Sequence, residues 1–239
     1  LAIERCVLLN PSPLPATRLE PLDGSVRRAA RVLGDRSIYS TQDILDAEIR
    51  LLEASRSLEG PTALALITPD LAALPGRSLS PEQQAAVGQI VTSGRRLDVL
   101  VGAAGTGKST AMAGVRAAWE AAYGPGSVVG LAPSAAAAEV LGDAVGIPTE
   151  NTTKWLHEAA RNPTRRAELD TLLSQLRTAS PSLGTRLLKD RAVRLQAECA
   201  QWGLSAGQLV IVDEASIAGT RELDRIVAHA LGADAATLR

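Results

Sequence analysis

Between Leu97 and Thr110 the chain reads Leu-Asp-Val-Leu-Val-Gly-Ala-Ala-Gly-Thr-Gly-Lys-Ser-Thr. An apolar run (Val99, Leu100, Val101) meets a cluster of small residues, and a helical pattern follows from about Lys108. That succession predicts a buried parallel strand, a tight loop and a helix whose N-terminus faces the loop. Gly102, Gly107, Lys108 and Ser109 fit the spacing G-x-x-x-x-G-K-[ST]. In such a loop successive backbone N–H groups turn inward and can surround a phosphate. Gly102, Gly105 and Gly107 allow the backbone angles and close approach that a side chain would block. Thr106 and Thr110 lie in the same passage and complete the nucleotide-binding candidates. Lys108 has the reach for β- and γ-phosphate oxygens, and Ser109 can ligate Mg²⁺. The chain has three lysines, Lys108, Lys154 and Lys189, and one stands here.

A second anchor is Gln208-Leu209-Val210-Ile211-Val212-Asp213-Glu214-Ala215-Ser216. Four consecutive apolar residues predict a central strand, and two carboxylates stand at its end. Beside a phosphate-binding loop, Asp213 is placed to orient Mg²⁺ and Glu214 to take a proton from an attacking water, which makes Lys108 and Glu214 the catalytic candidates. Two acids also suit the start of a helix after residue 217.

The 239 residues suffice for one large or two smaller domains. A net charge of −1 excludes a global basic field, so any contact with nucleic acid must be local. Cys6 and Cys199 are far apart in sequence, His157 and His229 are isolated, and neither pair suggests a zinc site. No apolar run approaches the roughly 20 residues of a membrane span, so a cytoplasmic location without membrane contact is expected.

Four prolines (Pro11, Pro13, Pro15, Pro21) predict an irregular opening stretch. Helices are expected over Ser25–Leu33 and Thr41–Ser57, the second with Leu45, Ile49 and Leu52 as its apolar stripe. A strand over Pro61–Thr68 and a linker over Pro69–Arg77 follow. Residues 1–75 thus form an accessory mixed or helical region. Ser80, Pro81 and Glu82 open a helix by cap, first-turn proline and first-turn acid, with Ala86, Val87 and Ile90 on its buried face. Gln83 on this helix precedes the loop, where a side-chain amide can read an adenine edge by paired hydrogen bonds. Val128–Ala132 predicts a second buried strand and Ala135–Ala144 a helix. Ser134 between them either caps that helix or holds a DNA phosphate. Thr152, Thr153, Lys154 and Trp155 combine hydroxyls, a cation and a ring, the ingredients of a single-strand contact. Trp155 equally suits a core. Residues 161–203 predict a helical insertion broken near Pro181–Gly184. Its stripes are Leu169, Leu172, Leu173 and Leu176 on the first helix, and Leu187, Leu188, Val193 and Leu195 on the second.

Together, Leu79–Gln83, the Gly-Ala-Ala-Gly-Thr-Gly-Lys-Ser loop, Ala132-Pro133-Ser134, Thr152–Leu156 and Asp213-Glu214-Ala215-Ser216 resemble a superfamily 1 DNA helicase of the RecD-like 5′-to-3′ branch. Thr-Thr-Lys-Trp-Leu-His and Gly-Gln-Leu-Val-Ile-Val-Asp-Glu-Ala-Ser look most like the helicase part of conjugative relaxase–helicases of the TraA/TraI type. The resemblance implies an α/β fold, a RecA-like P-loop NTPase with a parallel sheet, occupying residues 79–239. It implies ATP and Mg²⁺ as cofactors. Gln83 would lie on adenine, Gly105–Ser109 on phosphate and metal, Asp213 on the metal and Glu214 on the water. Ser134, Thr152 and Thr153 would lie on single-stranded DNA. The chain ends at Arg239, before the second domain and arginine finger of that family. The sheet is therefore expected to be incomplete, the partner to be the remainder of a longer helicase or relaxase chain, and the piece alone to bind ATP but scarcely hydrolyse it. The alternatives are a RecD-like DNA-repair helicase, a small phosphotransferase and a nucleotide-binding module with no motor role.

Overall fold

The computed structural model describes residues 6–8, 39–63, 73–74, 77–102, 105–180 and 182–239. They divide into two compact units, Leu1–Arg50 and Leu51–Arg239. In the first, β1 (Cys6–Leu8) pairs antiparallel with β2 (Tyr39–Thr41), with Cys6 opposite Thr41. Helix α1 (Gln42–Arg56) follows at once, as the pattern predicts. Its expected stripe is corrected, because Ile49 and Leu52 are exposed. Within the second unit it is Ala54 that is buried, with Leu97 and Val227. The prolines and helix expected over residues 11–33, and most of the strand expected over Pro61–Thr68, lie outside the described residues.

The stretch expected to be a linker contains a short antiparallel pair, β3 (Ala73–Leu74) with β4 (Arg77–Ser78). Helix α2 (Pro81–Thr92) then starts by a reciprocal cap. Ser80 Oγ accepts from Gln83 N at 3.2 Å, and Gln83 Oε1 accepts from Ser80 N at 2.9 Å. Two otherwise orphaned backbone donors are satisfied in this way. The helix buries Val87 and Val91, while Ala86 and Ile90 are half-buried.

The remaining elements are β5 (Leu97–Asp98), α3 (Lys108–Tyr123), β6 (Val128–Ala132), α4 (Ala135–Val145), β7 (Thr149–Asn151), α5 (Thr152–Ala159), α6 (Asn162–Thr178), α7 (Leu183–Gln201), β8 (Leu209–Val212), α8 (Thr220–Gly232) and β9 (Ala236–Leu238). The five strands form one sheet in the order β5-β9-β8-β6-β7, and each described pairing is parallel. Helices cover both faces, as a parallel sheet requires. Leu209 and Ile211 of β8 point into a core with Val87, Val115, Trp119 and Leu238. Val210 and Val212 point the other way, among Leu131, Trp155, Leu223 and Ile226. The period of two along β8 thus serves two cores.

The sequence pattern predicts no strand after Glu214. Yet Ala236–Leu238 forms β9, inserted between β5 and β8, with Thr237 opposite Leu97 and Val210. Three residues behind a glycine- and alanine-rich turn carry too little alternation to announce a strand. In the insertion, α6 and α7 pack on each other, but the second stripe is corrected. Leu187 and Val193 are 62% and 66% exposed, and the buried line is Thr185, Ala192, Leu195 and Cys199. Helical spacing favours that line over a count of large residues. Leu173 of the first stripe is exposed as well. Among the described residues no helix is long and apolar enough to cross a membrane.

Candidate functional site

Strand β5 stops at Asp98, before the apolar run expected to form it, and the valines of that run are not buried. Val99 is 53% and Val101 86% exposed, which corrects the expected buried run. The ladder itself continues: Arg239 N donates to Asp98 O at 2.9 Å and Leu100 N to Arg239 O at 2.7 Å. Strand β5 is an edge of the described sheet, so residues past Asp98 have a strand partner on one side only, and they run on into a cleft at the ends of the strands. Val99 and Val101 line that cleft.

Gly105 and Gly107 both adopt φ of 78°, the left-handed region. Gly107 is the N-cap of α3, so the loop turns directly into Lys108. A side chain at Gly107 would meet Gln83 Nε2 at 2.3 Å, and one at Gly102 would meet Thr106 Oγ1 at 2.8 Å. Glycine is therefore required at both positions, because Gln83 and Thr106 already fill the space a side chain would need. Lys108 is half-buried and its Nζ donates to Gly102 O at 2.6 Å. Ser109 is exposed on the first turn of the helix, and Thr110 beside it is half-buried.

Gln83 reaches this loop from α2. Its Nε2 donates to Gly107 O at 3.2 Å and Thr106 O at 3.4 Å, while its Oε1 serves the helix cap. The amide expected on an adenine edge thus has both ends engaged, and it ties the loop to the helix before it.

At the end of β8, Asp213 N extends the ladder to Leu131 O at 3.0 Å. Glu214 then turns into the left-handed region at φ 52°, and its N–H donates to Asp213 Oδ1 at 2.9 Å. Asp213 is half-buried and Glu214 exposed. One cleft of about 270 Å³ is lined by Gly102 and Lys108 from the loop and by Asp213, Glu214 and Ser216 from the strand end. It lies beyond the carboxyl ends of β5 and β8, where open parallel sheets hold their ligands.

The candidates for a DNA contact separate into two groups. Thr152 is fully buried and Trp155 is 4% exposed, with its ring edge-on to His229 at 5.4 Å. Both belong to the interior, which corrects the expectation that they touch a strand directly. Ser134, Thr153 and Lys154 are exposed. Ser134 Oγ caps α4 by accepting from Ala137 N at 3.1 Å. Thr153 Oγ1 donates to Glu222 Oε1 at 3.1 Å. Asn151, which sequence reasoning passed over, joins these segments. Its Nδ2 donates to Pro133 O at 2.8 Å, and its Oδ1 accepts from Lys154 N at 3.1 Å. Its place just before a helix of threonines is the cap signal that could have found it.

Lys154 Nζ pairs with Glu150 Oε2 at 2.5 Å and lies 5.4 Å from the centre of the Trp202 ring. Burial would raise the Glu150 carboxyl, but the hydrogen bond and charge of Lys154 and the N–H of Asn151 outweigh it and hold the group below the usual carboxylate range. Trp202, half-buried at the end of α7, is the other residue the sequence reading missed.

A fit to Mg²⁺ can be judged from the donors. A serine hydroxyl and a carboxylate are hard oxygen ligands of the kind Mg²⁺ takes together with phosphate. Among the described residues no group of three or more His, Cys, Asp or Glu could form a dedicated metal cage. Asp213 lines the cleft beside the loop, and Ser109 is exposed on the first turn of the helix that follows the loop, so donors of this kind stand at the strand end and at the loop.

Residues 78–238 match a family described as AAA domain. Over 120 residues, 49% of this chain, the sequence is 36% identical to the conjugal transfer protein TraA of Agrobacterium fabrum (strain C58 / ATCC 33970). That match spans 10% of the relative's length. Both findings support the resemblance to a TraA-like helicase that the motifs suggested. Glycine loop, acidic strand end and the strand set between them all fall inside the matched residues, and the chain belongs to the AAA domain family.

Proposed function

We propose that the chain is the ATP-binding part of an ATP-driven helicase or translocase that acts on single-stranded DNA during conjugative transfer. The observation that carries this reading is the single cleft lined by Gly102, Lys108, Asp213 and Glu214. A binding loop alone holds a nucleotide. A carboxylate pair on the facing wall adds what hydrolysis requires.

In this reading the N–H groups from Gly105 to Ser109 hold the phosphates, and Thr106 and Thr110 flank them. Lys108 leaves the Gly102 carbonyl for the β- and γ-phosphate oxygens, a stronger charge-assisted contact. Ser109 and Asp213 hold Mg²⁺, which neutralises phosphate charge when bound. Glu214, at the exposed end of the turn, accepts a proton from the water that attacks the γ-phosphate. Ser134, Thr153 and Lys154 meet the DNA backbone, and buried Thr152 seats the helix that carries the last two. The 36% identity to a conjugal transfer protein supports the choice of process.

A motor must couple its two ligands, and coupling is reciprocal. The test is the affinity of the chain for a short single-stranded deoxyoligonucleotide with and without a non-hydrolysable ATP analogue. A difference of roughly five-fold or more is expected. Nucleotide binding with no effect on oligonucleotide affinity would leave a nucleotide-binding module and remove the motor.

A further inference from the structure

The chain has three tryptophans, and their surroundings differ. Trp119 is 2% and Trp155 4% exposed, each within a core. Trp202 is half-buried at the C-terminal cap of α7. It packs against the core under α5, and the ammonium of Lys154 lies over its ring, 5.4 Å from the centre. The indole also borders a cleft of about 110 Å³ whose walls include Thr149, Glu150 and Gly203.

A cation over an indole is held by the negative face of the ring, and that same face accepts a nucleobase by stacking. The cation here sits on a long flexible stem, and the Lys154 side chain is 59% exposed. Its exchange for a base therefore requires release of the ion pair with Glu150 and no rearrangement of the core. Proteins that hold single strands combine such rings with cations that follow the backbone, and here the two are already neighbours.

We propose that Trp202 is a stacking platform for an unpaired base of a bound single strand, with Lys154 moving from the ring to the adjoining phosphate. This rests on the reading that the chain binds single-stranded DNA, and it puts the aromatic contact on Trp202 in place of Trp155.

The test follows tryptophan emission of the whole chain during titration with a short single-stranded deoxyoligonucleotide at low salt. Binding is measured in parallel by the anisotropy of a dye on the oligonucleotide. With Trp119 and Trp155 buried, a fall in emission reports Trp202. The wild type is expected to quench. Trp202→Phe binds within a few-fold of wild type without that quench, and Trp202→Ala binds about five- to a hundred-fold more weakly. Anisotropy-detected binding with unchanged emission, or Trp202→Ala binding as tightly as wild type, would overturn the platform and leave the DNA reading standing. No binding by either measure would remove both. Should Trp202→Ala fold poorly, the comparison of wild type with Trp202→Phe still decides.

Discussion

Lys108 Nζ donates to the carbonyl oxygen of Gly102 at 2.6 Å, so the ammonium of the loop is folded back onto the first residue of its motif. A neutral carbonyl is a weaker partner for an ammonium than a phosphate oxygen. The contact holds the lysine at the cleft it lines with Asp213 and Glu214, where a phosphate oxygen would be the stronger acceptor. Gly102 permits the arrangement, because a side chain there would come within 3.2 Å of the lysine's own stem.

Gln83 has two tasks that substitution can separate. Gln83→Glu keeps an acceptor for Ser80 N, and serine with glutamate three residues on is a favoured cap. It loses the donor to the carbonyls of Gly107 and Thr106. Thermal stability should fall by about 0.5–1.5 kcal/mol for the lost tie to the loop, while nucleotide affinity falls roughly two- to ten-fold, equally for ATP and GTP. Gln83→Ala should add a stability loss of about 1 kcal/mol. A loss confined to ATP would return the amide to the adenine edge.

Glu214 has φ 52°, a conformation that costs a residue with a side chain about 1–2 kcal/mol. Glycine removes that cost and adds roughly 0.5–1 kcal/mol of backbone entropy to be lost on folding. Glu214→Gly should therefore unfold at the same temperature as the wild type or slightly higher, and should still bind ATP, yet lose the carboxylate that the proposed function assigns to proton transfer. Calorimetry checks the first part. A destabilisation above about 1 kcal/mol would show that the glutamate side chain supports the turn.

Burial disfavours the charged form of His229, and the nearby Arg225 adds like charge, so its pKa lies below the ordinary 6.5. In the interval between the native value and 6.5 the unfolded chain binds more protons. Stability therefore rises with pH across that interval, is complete above it, and is lost as the solution is acidified through it. Melting temperatures recorded between about pH 5 and pH 7 should slope upward, and the slope should flatten in His229→Gln. An equal slope in both proteins would assign the dependence to other groups.

Strong local signals make much of this molecule legible in its sequence. Val128–Ala132 and Leu209–Val212 are dense apolar runs ending in turn residues, and both are strands. Ser80 and Pro81 announced the start of α2, and the glycine spacing announced the loop. What stayed hidden depends on distant pairing or on which face turns inward. Strand β9 exists because β5 and β8 leave room between them, which Ala-Thr-Leu cannot signal alone. Trp155 and Trp202 are the same residue type near the same surface. Only the packing of α5 and α7 decides which is buried. On α7, Thr185 and Ala192 turn inward while the larger Leu187 and Val193 face out, because the packing line follows helical spacing rather than side-chain size.

The central claim is that the loop at Gly102–Ser109 holds ATP through Lys108. Its most direct test is the titration of the chain and of Lys108→Ala with ATP in the presence of Mg²⁺, with folding of both confirmed by circular dichroism. The wild type is expected to bind, and the variant to bind at least about ten-fold more weakly, the loss of a hydrogen bond to a charged group. Equal affinity in the two proteins would contradict the assignment.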